Sequence, residues 1–128
     1  MYEEEFDMLN QLEERLPLNE MANLSPKRTG LSVTIWSEND GVSRKIQHND
    51  PRVKVGKNDY WVEITIEEDP VIKAQSSNIK KSEMKQILKG IEYVSRNHDL
   101  FLKHFNSSNE EFDDEDLRDA LRSRGEFK

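Results

Sequence analysis

The sequence predicts a small α+β domain, and three observations lead to that prediction. Over residues 31–66 apolar residues tend to alternate with polar ones, as they do in β-strands. Over 84–105 they recur every three or four positions, as on one face of a helix. The length of 128 residues fits one domain. We therefore expect a three- or four-stranded antiparallel sheet over about 31–74, with a long helix over about 82–105 packed on one face.

Charge divides the chain into three parts. The formal net charge is −7. Residues 1–20 hold seven acids and one base, and residues 109–128 hold eight acids and four bases, whereas the stretch between them carries a net charge of +3. We expect an acidic N-terminal helix in 1–20, a core domain in 21–106, and an acidic C-terminal helix and tail in 107–128. The extreme ends have few apolar groups to offset their ordering entropy, so we expect 1–5 and 124–128 to be poorly held.

The N-terminal part can form an amphipathic helix over 3–15. Helical spacing is followed by Phe6, Leu9 and Leu12 or Glu13, and the apolar stripe consists of Phe6, Leu9, Leu12 and Leu16. Pro17 cannot easily continue this helix, and 18–30 is interpreted as a connector. We expect the stripe to dock on the domain or to mediate self-association, because it is too apolar to stay in water.

The strands follow from alternation and from turn residues. We predict strands at 31–37, 52–55 and 60–66. Two further candidates are 42–47 and, as a short edge strand after Pro70, 71–74. The helix after them should begin with Ser82 as N-cap and Glu83 in the first turn, and a break near Asn97 is expected. A last helix should run from Asp114 to about Ser123, with Phe112 and Leu117 flanking the cap residue Asp113 as a hydrophobic staple.

Several classes of function are disfavoured by composition. The chain has no cysteine, which excludes disulfides, thiolate chemistry and cysteine-bound zinc. No apolar run approaches the roughly 20 residues of a membrane span, and the N-terminus is acidic where a signal peptide is basic. We expect a cytoplasmic protein without membrane contact. No metal or phosphate motif is present, so we expect no cofactor.

The candidate binding residues are two tryptophans and the basic residues near them. Trp36 and Trp61 lie opposite the apolar faces of their predicted strands. The basic residues are Arg44, Lys45, Arg52 and Lys54. Such a cluster can be a protein-binding hot spot, or it can stack bases and hold phosphates. A third interpretation is structural, with both tryptophans packed under the N-terminal helix or the C-terminal segment.

The histidines give little reason to expect catalysis. His98 lies on the helical apolar stripe, which suggests a half-buried core residue, and His104 is six residues away, on another helix face. His48, with Asp50 two residues on, is the single candidate for proton transfer. A turn that joins strands is usually solvated, and a solvated histidine gains little catalytic power. We therefore expect that the protein is not an enzyme.

One stretch resembles a group of small uncharacterised bacterial and phage-borne proteins. Residues 23–36 read Asn-Leu-Ser-Pro-Lys-Arg-Thr-Gly-Leu-Ser-Val-Thr-Ile-Trp, similar to the opening Asn-Leu-x-Pro-x-x-Thr-Gly-Leu motif and Ile-Trp strand of that group. An Arg-x-Lys-Val strand follows at 52–55, and 97–102 is similar to a late helical segment. Those relatives often carry a tryptophan where this chain has His104-Phe105. The resemblance implies a small bacterial protein, with a mobile element as one source, and no activity.

These observations predict a non-enzymatic protein-binding module, with a protein partner or self-association. The alternative is a nucleic-acid-binding protein that uses Trp36, Trp61 and the neighbouring basic residues, although an acidic net charge argues against general nucleic-acid binding. A further idea is that the protein mimics nucleic acid and blocks a basic partner. That idea requires the acids to lie on one surface.

Overall fold

The fold was analysed in a computed structural model, which describes residues 21–38, 51–108 and 110–128. Five strands are present in these ranges: β1 (Met21–Leu24), β2 (Thr34–Glu38), β3 (Arg52–Gly56), β4 (Trp61–Thr65) and β5 (Ile72–Gln75). The helices are α1 (Pro26–Thr29), α2 (Lys81–Arg96), α3 (His98–Asn106) and α4 (Asp114–Ser123). The α+β class is therefore as predicted.

The strands form one antiparallel sheet in the order β1-β2-β3-β4-β5. Strand β1 was not predicted, because it lies in the stretch 18–30 that we interpreted as a connector. Ala22 and Leu24 of this strand are buried with the exposed Asn23 between them, and so short an alternation could not be recognised in the sequence. The predicted strand at 42–47 and the N-terminal helix lie outside the described residues.

Helices α2, α3 and α4 cover one face of the sheet, as predicted for the long helix. Gly90 of α2 approaches Val55 and Val33, and the α3 residue His104 contacts Ser37 of β2. Helix α4 lies beside β1, where the Arg118 guanidinium donates to the backbone oxygen of Asn23 over 3.4 Å. Alternate apolar residues of the first four strands pack against the helices. The core includes Ala22, Leu24, Val33, Ile35, Val53, Val55, Val62, Ile64, Ile87, Tyr93, Val94, Phe101, Phe105, Leu117 and Leu121.

The predicted long helix is divided at Asn97, where we expected a break. The buried Asn97 side chain donates to the backbone oxygen of Tyr93 over 3.0 Å and separates α2 from α3. The start of α2 differs from the prediction, because Lys80 rather than Ser82 is the N-cap. The N-cap is set by Glu83. Its carboxylate accepts from the Lys80 backbone N–H at 2.9 Å, so Glu83 is the third residue of the helix (N3) and Lys80 is the cap.

The last helix begins and ends as predicted. Asp113 caps it by accepting from the Asp116 backbone N–H at 2.8 Å, and Asp116 accepts from the Asp113 N–H at 3.0 Å. Phe112 and Leu117 are both buried beside this cap. The two reciprocal bonds satisfy donors that a helix start leaves without partners.

The prediction that residues 124–128 are poorly held was wrong. Phe127 is only 6% exposed and lies between the guanidinium groups of Arg28 and Arg122. The Tyr93 hydroxyl donates to the backbone oxygen of Glu126 over 2.7 Å, and burial raises the pKa of Tyr93 well above its usual range, which keeps this donor protonated. The buried Phe127 ring and hydrogen bonds such as that from Tyr93 together anchor the segment. Residues 1–5 lie outside the described residues.

Candidate functional site

The sheet face opposite the helices carries the residues that the sequence singled out. One cross-strand row runs Asn23, Trp36, Lys54, Glu63 and Ala74, from β1 to β5, as the strand registers show. Side chains alternate between faces along each strand, so the row lies away from the core. We call this surface the open face. Neither α2, α3 nor α4 covers it.

At its centre, Lys54 lies between the two tryptophans. The Lys54 Nζ atom is 5.3 Å from the centroid of the Trp36 ring and 4.7 Å from that of the Trp61 ring. All three side chains are half-buried. Each contact has cation–π geometry, which contributes about 0.5–1 kcal/mol at exposed sites and about 2 kcal/mol when desolvated. These two contacts favour the arrangement in which the Lys54 ammonium lies between the two rings.

Trp61 is also fixed through its backbone. Its N–H donates to the Ser76 hydroxyl over 2.9 Å, and its carbonyl oxygen accepts from the Ser76 N–H over 2.9 Å. Its register partner Gly56 has φ +147°, and a Cβ built there would lie 2.3 Å from the Tyr60 backbone oxygen and 2.6 Å from the Trp61 Cα. Only glycine fits this position, which holds the start of β4 close against β3.

Among the described residues of β2, β3 and β4, the charges next to the cluster balance one another. Arg52 donates to the Glu63 carboxylate over 3.4 Å, and Glu63 is also the register partner of Lys54. The charged residues of β2, β3 and β4 on the open face are Glu38, Arg52, Lys54 and Glu63, and their formal charges sum to zero. Arg44 and Lys45, predicted to belong here, lie outside the described residues.

A second polar cluster lies on the other side of the sheet. His104 Nδ1 is 2.8 Å from Ser37 Oγ, and His104 Nε2 is 2.8 Å from a carboxylate oxygen of Asp114. Because a carboxylate only accepts, Nε2 carries the proton, and in the neutral ring Nδ1 accepts from the Ser37 hydroxyl. Ser37 and His104 are both fully buried, so no substrate reaches this hydroxyl. The cluster ties α3 to β2 and to the start of α4.

The Ser37–His104–Asp114 cluster was not predicted, because His104 was expected on a helix face other than that of His98, whereas it is fully buried. His98 is half-buried, with Nδ1 2.8 Å from the Ser95 backbone oxygen. Two signals pointed to the missed cluster. Ser37 continues the alternation of Val33 and Ile35, and His104 follows Phe101 by three positions. Both patterns place a polar group in the core, where it requires a partner.

The acidic residues at the start of α4 are partly neutralised. Arg118 lies 2.8 Å from Glu115, and Arg122 lies 2.6 Å from Asp119, each pair one turn apart on the helix. Because basic side chains alternate with the acidic ones along α4, the surface of this helix resembles a nucleic-acid backbone less closely. His48 and Asp50, the pair considered for proton transfer, lie outside the described residues.

In the parts of the chain that the structure describes, no three His, Asp or Glu side chains are arranged to hold a metal ion. No helix within those parts is both long enough and apolar enough to cross a membrane. Comparisons with protein-family models, with curated proteins and with solved structures gave no significant match.

Proposed function

We propose that this chain is a small bacterial or phage-borne, non-enzymatic module that binds a protein partner through its open face. The observation that carries the proposal is the Trp36–Lys54–Trp61 cluster. Three helices bury the other face of the sheet, whereas both tryptophans remain partly accessible. Tryptophan is among the residues most enriched in binding hot spots, and a rigid aromatic pair loses little entropy when a partner binds.

The charge balance of the open face favours a protein over a nucleic acid. A phosphate backbone requires cations that are not already compensated. Here Arg52 is paired with Glu63, and the cation of Lys54 lies between two rings. A protein surface with a modest mixture of apolar and charged groups complements this face better.

The test is a comparison of the wild-type protein with Trp36→Ala and Trp61→Ala variants as immobilised baits in a bacterial lysate. Lys57→Ala, at an exposed position in the turn after β3, is the matched control. A partner retained by the wild type and the control is then purified and titrated. We expect each tryptophan variant to weaken its binding by about tenfold or more, as for a hot-spot residue. A partner that binds all variants equally would contradict the proposal.

Nucleic-acid binding is the second candidate, because two tryptophans and two basic residues share one face. Labelled single- and double-stranded DNA and RNA at 50 mM salt provide the test. Binding that weakens steeply towards 200 mM salt and is lost in Trp36→Ala would replace the protein-binding proposal. If the protein binds none of these labelled probes at low salt, the nucleic-acid alternative is wrong.

A further inference from the structure

Lys54 differs from the other lysines of the described residues, because it is half-buried whereas all the others are exposed. Within the same residues, no hydrogen bond or ion pair includes its ammonium group. The acid directly across from it on β4 is Glu63, but the Glu63 carboxylate lies 3.4 Å from Arg52. A partly buried cation at the centre of the open face therefore has no carboxylate among the described residues.

The two tryptophan rings attract this ammonium group without neutralising it. Trp36 lies directly opposite Lys54 on β2, and Trp61 lies diagonally across from it on β4, so the rings flank it from both neighbouring strands. An aromatic face offers a cation only partial negative charge. A lysine ammonium also has three N–H donors, which water can satisfy as long as the open face is not covered.

A partner that covers both tryptophans also covers Lys54, because its ammonium lies between them. The ammonium then loses its water. Removing a charge from water is costly unless an opposite charge and hydrogen bonds replace the water. Because Glu63 is already paired with Arg52, the acid across the strand is not available for this purpose. The partner therefore has to supply the opposite charge.

We propose that the partner presents a carboxylate between apolar side chains, in an acidic segment that lies across the open face. This inference rests on the proposed function. The carboxylate accepts from Lys54 Nζ, and the apolar side chains cover the rings of Trp36 and Trp61. A charge-assisted hydrogen bond of this kind is about twice as strong as a neutral one. It also discriminates between partners, since a neutral or basic group at this position would bury the ammonium without a counter-charge.

A single cation fits one carboxylate better than it fits a phosphate backbone. Nucleic acids bind through several uncompensated cations that follow the strand. On the described part of the open face, the other basic residue of β3, Arg52, is paired with Glu63. Lys54 alone can neutralise one anionic group but cannot follow a strand of phosphates.

The test uses two short peptides, acetyl-Gly-Leu-Glu-Leu-Gly-amide and its counterpart with Gln in place of Glu. Each is titrated to about 10 mM, which covers millimolar affinities. The chain has two tryptophans and both belong to the cluster, so the intrinsic fluorescence of the full chain reports on this site. We expect the wild type to bind the acidic peptide at least about tenfold more tightly than the neutral one, with a preference that decreases as salt increases.

Variants of Lys54 show whether this preference comes from the ammonium. Lys54→Arg keeps a cation and should keep the preference, whereas Lys54→Met keeps an unbranched side chain and should bind both peptides equally. Lys57→Met, at an exposed position in the turn after β3, removes the same charge and is the matched control, which should retain the wild-type preference. Thermal unfolding shows whether each variant is folded. The two peptides on the wild type test the proposal even where a variant does not fold.

Equal binding of the two peptides by the wild type, or no binding of either, would overturn this inference. If the peptides bind equally and Trp36→Ala weakens both, the protein-binding function stands without the carboxylate. A preference that persists in Lys54→Met would place the carboxylate elsewhere and would also overturn the inference. A pentathymidylate strand that binds more tightly than the acidic peptide would assign the anion to phosphate, which would overturn the inference and support the nucleic-acid alternative.

Discussion

Gly90 of α2 lies directly on Val55 of β3. A Cβ built on Gly90 would be 2.5 Å from Val55 Cγ1 and 3.1 Å from Val33 Cγ2. Real atoms do not approach so closely, so the absence of a side chain at position 90 sets how near the helix lies to the sheet. Gly90 is therefore a packing requirement in a helix interior, where glycine otherwise costs about 1 kcal/mol relative to alanine.

Gly90→Ala should destabilise the protein by about 1–3 kcal/mol, because the overpacking cost exceeds the gain in helix propensity. Urea unfolding provides the measurement, and Lys89→Ala, exposed on the same helix, is the control with an expected change within about 0.5 kcal/mol. In a Val55→Ala background the Gly90→Ala cost should shrink, since the methyl group that clashes is gone. If Gly90→Ala destabilised both backgrounds equally, the contact with Val55 would not be what limits how closely α2 lies on the sheet.

Ser37→Ala should lower the free energy of unfolding by about 1–3 kcal/mol. It removes the hydroxyl that His104 Nδ1 contacts at 2.8 Å and leaves a fully buried ring nitrogen without this partner. Ser32→Ala, at an exposed position before the same strand, should change stability by less than about 0.5 kcal/mol. If the two variants were equally stable, the hydrogen bond to His104 would contribute nothing net.

Glu126→Gln should be less stable than the wild type at pH 7, with the difference disappearing in acid. The hydrogen-bonded Arg96 guanidinium, 2.9 Å away, holds the pKa of Glu126 below its usual value. A lowered folded-state pKa means that this contribution is fully present above the unfolded pKa of about 4.3 and is lost as the pH falls through the folded value. Because Arg96 is 53% exposed, the difference at pH 7 should be below about 1 kcal/mol.

Urea unfolding of both proteins between pH 7 and pH 3 checks this expectation, with the exposed Glu110→Gln as the control. A stability difference that stays constant over this range would show that the effect of Glu126→Gln does not come from its charge.

The face of each predicted strand could be derived from sequence because alternation depends only on local geometry. Trp36 is flanked by Ile35 and Ser37, and Trp61 precedes Val62, so period two places both rings opposite the core. The start of the last helix could be predicted because its signals are neighbours in the sequence: the cap residue Asp113 and the apolar pair Phe112 and Leu117 that flanks it.

The contacts that could not be predicted from the sequence are those that depend on how distant segments pair and pack. The position of Lys54 between both rings requires β3 to lie between β2 and β4 with particular partners. Ser37 and His104 are 67 positions apart, and only the packing of α3 on β2 brings them together. A single phenylalanine in a polar tail, Phe127, has no periodicity at all, so its burial could not be anticipated.

The backbone pairing between Arg28 and Lys128 has a consequence for synthesis of the chain. Arg28 follows the edge strand β1, and its carbonyl oxygen accepts from the Lys128 N–H at 2.9 Å, across 100 residues. Strands β2 to β5 pair with sequence neighbours and can assemble as they leave the ribosome, whereas α4 and the last residues reach β1 only later. At about 5–20 residues per second this delay is roughly 5–20 s. During that interval the edge strand β1 lacks the contact that α4 makes with it in the folded protein, and an edge strand without cover can pair with another chain.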